Sequence, residues 1–153
     1  MSGSTSSGFT PTLPPATLEE IRDSFAFFEG WEDKYRFLID LGKSLPALAD
    51  ELRTDTHLVR GCQSQVWLVS RFNDSSDRLE LALDSDAHIV RGLAAIVLAA
   101  YQGQPPGKIV AFDIESLFTE LDLLPHLSAT RGNGLRAMVN KVVALARECH
   151  GPE

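Results

Sequence analysis

Cys62 is the residue whose setting most invites chemistry. It stands in Gly61-Cys62-Gln63-Ser64-Gln65-Val66-Trp67, with a glycine before it and three polar residues after it. A structural cysteine usually sits inside an apolar, periodic element; here the pattern predicts a loop tip between a short strand and a long one. As a thiolate such a residue is a nucleophile. As a buried or incidental thiol it does nothing, and local pattern leaves both readings open. Cys149 ends the last predicted helix beside His150 and Gly151, and reads as an exposed or frayed terminal thiol. A general base must come within hydrogen-bond reach of the group it activates. His57 and His88 are the candidates, and neither has an orienting partner in sequence. Asp84-Ser85-Asp86 precedes a long apolar stretch, where carboxylates cap a helix and complement its dipole. Ser128 to Gly134 is a glycine-rich stretch that reads as a capped loop, and capping leaves the charge of Arg131 in it unexplained.

The elements that position these residues follow from periodicity. Residues 1–16 are rich in Ser, Gly, Thr and Pro, so they read as a disordered tail whose burial cannot offset its ordering entropy. Order is expected over residues 17–150. Thr17-Leu18-Glu19-Glu20 has the capping-box pattern, and Leu18, Ile21, Phe25 and Phe28 follow at helical spacing up to Gly30. A second helix runs from about Trp31 to Leu41, with Gly42 as its C-terminal cap. Pro46 and Ala47-Leu48-Ala49-Asp50-Glu51-Leu52 predict a short third turn. His57–Arg60 is β-capable, residues 66–72 and 79–83 alternate as strands, and Asn73 to Asp77 is turn chemistry joining the last two in a hairpin. An almost uniformly apolar helix from His88 to about Tyr101 is expected at the centre. Short helices follow from Pro105-Pro106 and from an Asp113 cap to about Leu121. The last long helix is expected from Asn133 to about Glu148. The class is α+β: a small antiparallel three-stranded sheet with helices packed on it.

Composition excludes several functions. The 153 residues are 44% hydrophobic, enough for one core without metal or disulfide staples. Fourteen Lys and Arg against 21 Asp and Glu leave a net charge of −7, which disfavours nucleic acid and anionic membranes as partners. The longest apolar run, Leu93 to Tyr101, is far too short to span a bilayer, and the N-terminus lacks a signal-peptide pattern. Two cysteines make no disulfide framework, and a cytoplasmic location would keep them reduced. The four histidines show no metal-ligand spacing, so no metal site is expected. Phosphate-binding glycine loops and nucleophile elbows are absent.

Residues 61–67 resemble the signature of the SufE/CsdE family of sulfur acceptors for cysteine desulfurases. Further blocks agree in order: Trp31-Glu32-Asp33-Lys34-Tyr35-Arg36, Leu41 to Pro46, Asp84-Ser85-Asp86 with Ile89 to Gly92, and Ser128 with Arg131, Asn133, Gly134 and Leu135. Together they cover roughly residues 17–148. The first half is closer to the CsdE branch and the cysteine block to SufE. The resemblance implies an α+β fold similar to the scaffold protein IscU, with Cys62 as the persulfide-accepting cysteine. It implies a PLP-dependent partner of SufS or CsdA type and, downstream, a SufBCD-type scaffold for iron–sulfur cluster assembly. The PLP belongs to the partner, and no cofactor is expected here. Gly61, Gln63, Ser64, Asp84, Asp86 and Arg131 are expected to meet the desulfurase.

The chemistry so implied is carriage coupled to a partner's turnover, with no independent turnover expected. Two alternatives belong to other classes. A redox-active thiol protein would want a resolving cysteine, and Cys149 lies 87 positions from Cys62. A non-covalent regulator of the desulfurase would leave Cys62 incidental.

Overall fold

A computed structural model describes residues 9–62 and 64–150, apart from the side chain of His150. Among the described residues six α-helices accompany one hairpin. Helix α1 (Leu18–Phe27) is opened by a complete capping box: the Thr17 hydroxyl accepts from the Glu20 N–H, and the Glu20 carboxylate accepts from the Thr17 N–H at 2.8 Å. Its inner stripe is Ile21 and Phe25. Helix α2 (Trp31–Ser44) runs on past Gly42, the glycine expected to end it. Gly42 is buried, and a Cβ there would collide with the His88 carbonyl oxygen and lie 2.9 Å from the Gly92 nitrogen. This glycine serves close helix packing, a role no local pattern distinguishes from a cap.

The partner in that contact is helix α3 (His88–Tyr101), whose ten buried residues make it the central helix, as its composition predicts. It packs on α2, on the hairpin and on the last helix. Helices α4 (Pro106–Ala111) and α5 (Ile114–Leu121) follow, the second capped by Asp113, whose carboxylate accepts from the Ser116 N–H. Helix α6 spans Ala129–His150 and begins four residues before the expected Asn133. The Ser128 hydroxyl accepts from the Arg131 N–H and starts it, so the glycine-rich stretch is helix rather than loop.

The sheet has two strands among the described residues, β1 (Val66–Asn73) and β2 (Arg78–Ser85), antiparallel in the register Val66↔Ser85 to Asn73↔Arg78. The expected turn is present: the Asn73 side chain accepts from the Ser75 and Ser76 N–H groups. The third strand expected at His57–Arg60 is reduced to a single bridge, Leu58↔Trp67, with the Val59 N–H bonded to the Val66 carbonyl at 2.8 Å. Asp55–His57 coils into a 3-10 turn instead, with His57 Nδ1 bonded to the Leu52 carbonyl at 2.9 Å. On the other side, Gly61 has φ +92° and turns the chain away.

The sheet buries both faces. Val66, Leu68, Leu81 and Leu83 meet the helices, while Trp67, Val69 and Ala82 form an outer cluster with Phe9 and Leu48. That outer cluster corrects the tail expected over residues 1–16, of which residues 1–8 lie outside the described ones. Phe9 lies under the Arg71 guanidinium at 4.8 Å. The Thr12 N–H bonds the Leu81 carbonyl, and the Gln102 amide accepts from the Leu81 N–H and donates to the Thr12 carbonyl. An apolar outer face and an open strand edge both need cover, and residues 9–12 with Gln102 supply it.

Asp84 is also corrected. Expected near the partner surface, it is wholly buried at the end of β2. It accepts from the Leu48 N–H at 2.8 Å, the Ser85 N–H and Arg53 at 2.9 Å, and pairs with Arg91. Arg91 in turn donates to the Gly42 and Leu45 carbonyls at the end of α2. A buried carboxylate is retained only when paired and hydrogen-bonded, and this one ties β2, α3 and the 45–53 segment together.

Candidate functional site

Cys62 lies where the polar stretch after Gly61 leaves the sheet, on a loop held at both ends. Before it, Val59 is bonded to Val66 of β1. After it, Gln65 and Asp86 pair reciprocally: the Gln65 N–H donates to the Asp86 carboxylate at 3.1 Å, and the Asp86 N–H donates to the Gln65 carbonyl at 3.2 Å. Asp86 therefore organises the loop from the start of α3, while its near neighbour Asp84 is interior. The segment between these anchors is short and contains a left-handed glycine, a conformation that side chains resist.

The thiol rests against helix α6. Cys62 is half-buried and packs against the core, and its Sγ donates to the Gly134 carbonyl at 3.7 Å. A Cβ at Gly134 would sit 3.7 Å from that sulfur, and a Cβ at Gly61 would sit 3.5 Å from the Ala137 Cβ. The loop thus follows one face of α6, at Gly134 and then Ala137. Burial pushes the Cys62 thiol up from its ordinary pKa, so the resting group is protonated and weakly nucleophilic.

Arg131 lies one turn before Gly134. Its guanidinium donates to the Tyr35 hydroxyl at 2.6 Å and sits 5.8 Å from that ring, which fastens α6 to α2 beside the cysteine loop. Ser64 is half-buried in the same loop, and Gln63, also expected at the site, lies outside the described residues. The structure thus gathers Gly61, Cys62, Ser64 and Asp86 at one corner, with Arg131 on the helix that walls it.

No hydrogen bond joins Cys62 to a histidine among the described residues. His57 is engaged by the Leu52 carbonyl and the Thr54 hydroxyl, and His88 is exposed at the start of α3. Cys149 is remote: fifteen residues of α6 separate it from Gly134, about 22 Å along the helix, whereas a disulfide needs Cα atoms within about 7 Å. Burial, then Glu148, then Asp74 push its thiol up as well. No group of three or more metal-ligating side chains occurs among the described residues. Nor is any helix there long and apolar enough to cross a membrane.

Ala137 and the pairing of Gln65 with Asp86 were not singled out from sequence. Gly134 was read as part of a capped loop and of a family-like block, and once α6 begins at Ala129 its period aligns Gly134, Ala137 and Lys141 on one face.

Comparison with known proteins agrees with this architecture. The family model SufE, described as an Fe-S metabolism associated domain, matches residues 19–146. An uncharacterized SufE-like protein of Rhizobium etli is 49% identical over 129 residues, 83% of this chain and 87% of that protein. A second, from Rhizobium meliloti, is 44% identical over 82% of this chain and 91% of its own length. The solution structure of a hypothetical protein from Thermus thermophilus superposes with a TM-score of 0.61 at 17% identity, over 90% of this chain and 98% of that one, and so shares the fold.

Proposed function

Because the chain belongs to the SufE family, whose domain is associated with Fe-S metabolism, we propose that it carries sulfur on Cys62. A PLP-dependent cysteine desulfurase of SufS or CsdA type presents a persulfide on its own cysteine. The Cys62 thiolate attacks the outer sulfur, the donor's S–S bond breaks, the desulfurase cysteine leaves as a thiolate, and Cys62 becomes a persulfide. The sulfur then passes toward cluster assembly, on a SufBCD-type scaffold. PLP stays with the desulfurase, and this chain acts through its thiol alone, in the reducing cytoplasm.

The observation that carries this reading is the seat of the thiol. Cys62 rests half-buried against α6, on a short loop pinned, among the described residues, at Val59 and Gln65. A persulfide exposed to solvent is lost to oxidants and to any thiol that meets it, so a sheltered rest position limits its loss to acceptors that the protein itself seats. The same shelter raises the thiol pKa and slows attack, so transfer requires the loop to leave α6 and regain water. Gly61 makes that movement sterically easy, and the strands need not open. The corner of Gly61, Ser64, Asp86 and Arg131 is the side offered to the desulfurase.

The test is mass spectrometry after incubation with desulfurase and cysteine. One sulfur, about 32 Da, should appear on Cys62, none on Cys62→Ser, and Cys149→Ser should behave as the parent. Stoichiometric uptake by Cys62→Ser would sink the proposal. Arg131→Ala should lower desulfurase stimulation more than melting temperature, because its bond to Tyr35 is one contact at a partly exposed corner. Normal stimulation with a large fall in melting temperature would make Arg131 structural only.

A further inference from the structure

A groove of about 370 Å³ lies beside the cysteine loop, lined by Leu58, Val59, Arg60, Ala137, Asn140 and Lys141. It neighbours the Cys62 seat through two residues, Arg60 and Ala137. Arg60 is separated from Cys62 only by Gly61, which faces Ala137, and Ala137 and Lys141 extend along α6 the face that begins at Gly134. Its floor is apolar, from Leu58, Val59 and Ala137. Its polar groups are two cations and an amide, all exposed, and none has a hydrogen bond or ion pair among the described residues. In a chain of net charge −7, where most other arginines are paired with carboxylates, two unpaired cations beside the reactive thiol mark a place for an anion.

We propose that this groove seats a small carboxylate-bearing thiol that takes the sulfane sulfur from Cys62, an inference that rests on Cys62 carrying a persulfide. The size suits a small ligand. The carboxylate meets Arg60 and Lys141, the methylene stem lies on Leu58, Val59 and Ala137, and Asn140 is placed to bond an amide or a second carboxylate. A lysine on a helix leans toward the N-terminus, which brings the Lys141 ammonium back toward Ala137 and the cysteine end. The acceptor thiolate attacks the outer sulfur of Cys62–S–SH. The Cys62 S–S bond breaks, a new S–S bond forms on the acceptor, and Cys62 leaves as a thiolate. The sulfane sulfur keeps its proton, and no outside oxidant or reductant takes part.

The experiment loads Cys62 with inorganic polysulfide, so that it does not depend on any desulfurase, and follows loss of the added sulfur by mass. Acceptors are 3-mercaptopropionate, 2-mercaptoethanol and cysteamine, each rate being divided by the thiolate fraction. The anionic thiol should be favoured over the neutral one by about threefold to tenfold, the size that two exposed ion pairs support. The preference should disappear at high salt and in Arg60→Gln/Lys141→Gln, both exposed positions whose replacement spares the core. Excess succinate should slow 3-mercaptopropionate and leave 2-mercaptoethanol unaffected. Rates ordered by thiolate fraction alone, or an anion preference that survives the double substitution, would overturn the proposal. A protein that loads from polysulfide but never from a desulfurase would defeat the carrier reading while leaving this test readable.

Discussion

Replacing Asp84 by Asn tests whether the buried carboxylate at the end of β2 is architectural. Asp84 has no exposed surface and accepts from two backbone N–H groups, of Leu48 and Ser85, and from the guanidinium groups of Arg53 and Arg91. Asn preserves shape but removes the charge and turns one acceptor into a donor that faces other donors. Arg53 is one-third exposed and can turn toward water; Arg91 is only 13% exposed and cannot. Most of the cost therefore comes from Arg91, left inside without its carboxylate. Breaking a buried pair in this way costs about 3–5 kcal/mol. Against a total stability of roughly 5–15 kcal/mol, that is a large fraction. With a urea m-value of about 1–3 kcal/mol/M, the midpoint should fall by more than about 1 M. Urea titration followed by tryptophan fluorescence reads this directly, since Trp67 lies in the outer cluster beneath Arg53 at 5.2 Å. Stimulation of a desulfurase, measured per folded molecule, should be unchanged. A loss of stability below about 1 kcal/mol, or a loss of stimulation in a fully folded variant, would refute the architectural assignment and return Asp84 to the partner surface.

Gly42→Ala should destabilise by about 1–3 kcal/mol, although an exposed helical Gly→Ala usually gains up to about 1, because its methyl meets the backbone of α3 rather than a movable side chain; thermal unfolding distinguishes the two signs. Tyr101 is buried, its hydroxyl has no partner among the described residues, and burial followed by Glu115 pushes its pKa up to about 12. An acid whose pKa is raised by folding keeps its proton while the unfolded chain loses it, so stability falls from about pH 10 toward 12. Tyr101→Phe should remove that part of the fall and be at least as stable near neutrality, as read by denaturant midpoints across pH. The rate of Cys62 alkylation by iodoacetamide should rise with pH around a midpoint above the ordinary thiol value of about 8.5, since burial raises its pKa. An unfolded control should titrate at the ordinary value, and coincident profiles would remove the sheltered rest position.

Much of the fold was legible because its signals are local. The capping box at Thr17, the Asp113 cap, the Asn73 turn and the apolar run of α3 each carry their own physics within a few residues, and each is realised. The misreadings share a different cause. Gly42 and the glycines before Leu135 resemble caps and loops because glycine is rare inside helices, yet Gly42 is required by the backbone of α3 that approaches it, while Gly132 and Gly134 lie within the helix with room for a Cβ at 3.7 Å from Leu124 and from Cys62. The third strand is reduced to one bridge because the chain closes a 3-10 turn at Asp55–His57 on one side and turns away at Gly61 on the other. The tail was misjudged from Phe9 onward because its own composition cannot order it; the outer face formed by Trp67, Val69 and Ala82 seats Phe9, and the edge of β2 holds Thr12.

The site divides along the same line. Cys62 declared itself by its setting, but its wall is assembled from residues 72 and more positions away, and their common face exists only because α6 starts at Ala129. Asp84 and Asp86 show the limit most sharply. They are two positions apart and alike in sequence, and a continued strand would put them on one side of the sheet. Because β2 ends at Ser85, the chain turns between them, and one carboxylate goes inside to Arg91 while the other bonds the backbone of the cysteine loop. The consequence for function is mechanical. The buried Asp84 network fixes the platform of β2, α3 and the 45–53 segment, and Asp86 fixes the far end of the loop to that platform. Among the described residues the hydrogen bond that holds the Cys62 side chain to α6 is the weak Sγ contact with the Gly134 carbonyl, and the residue before Cys62 is a left-handed glycine. Under the carriage proposed above, sheltering and presenting the sulfur are separable from the stability of the domain, because neither the Asp84 network nor the Gln65–Asp86 pair includes the thiol.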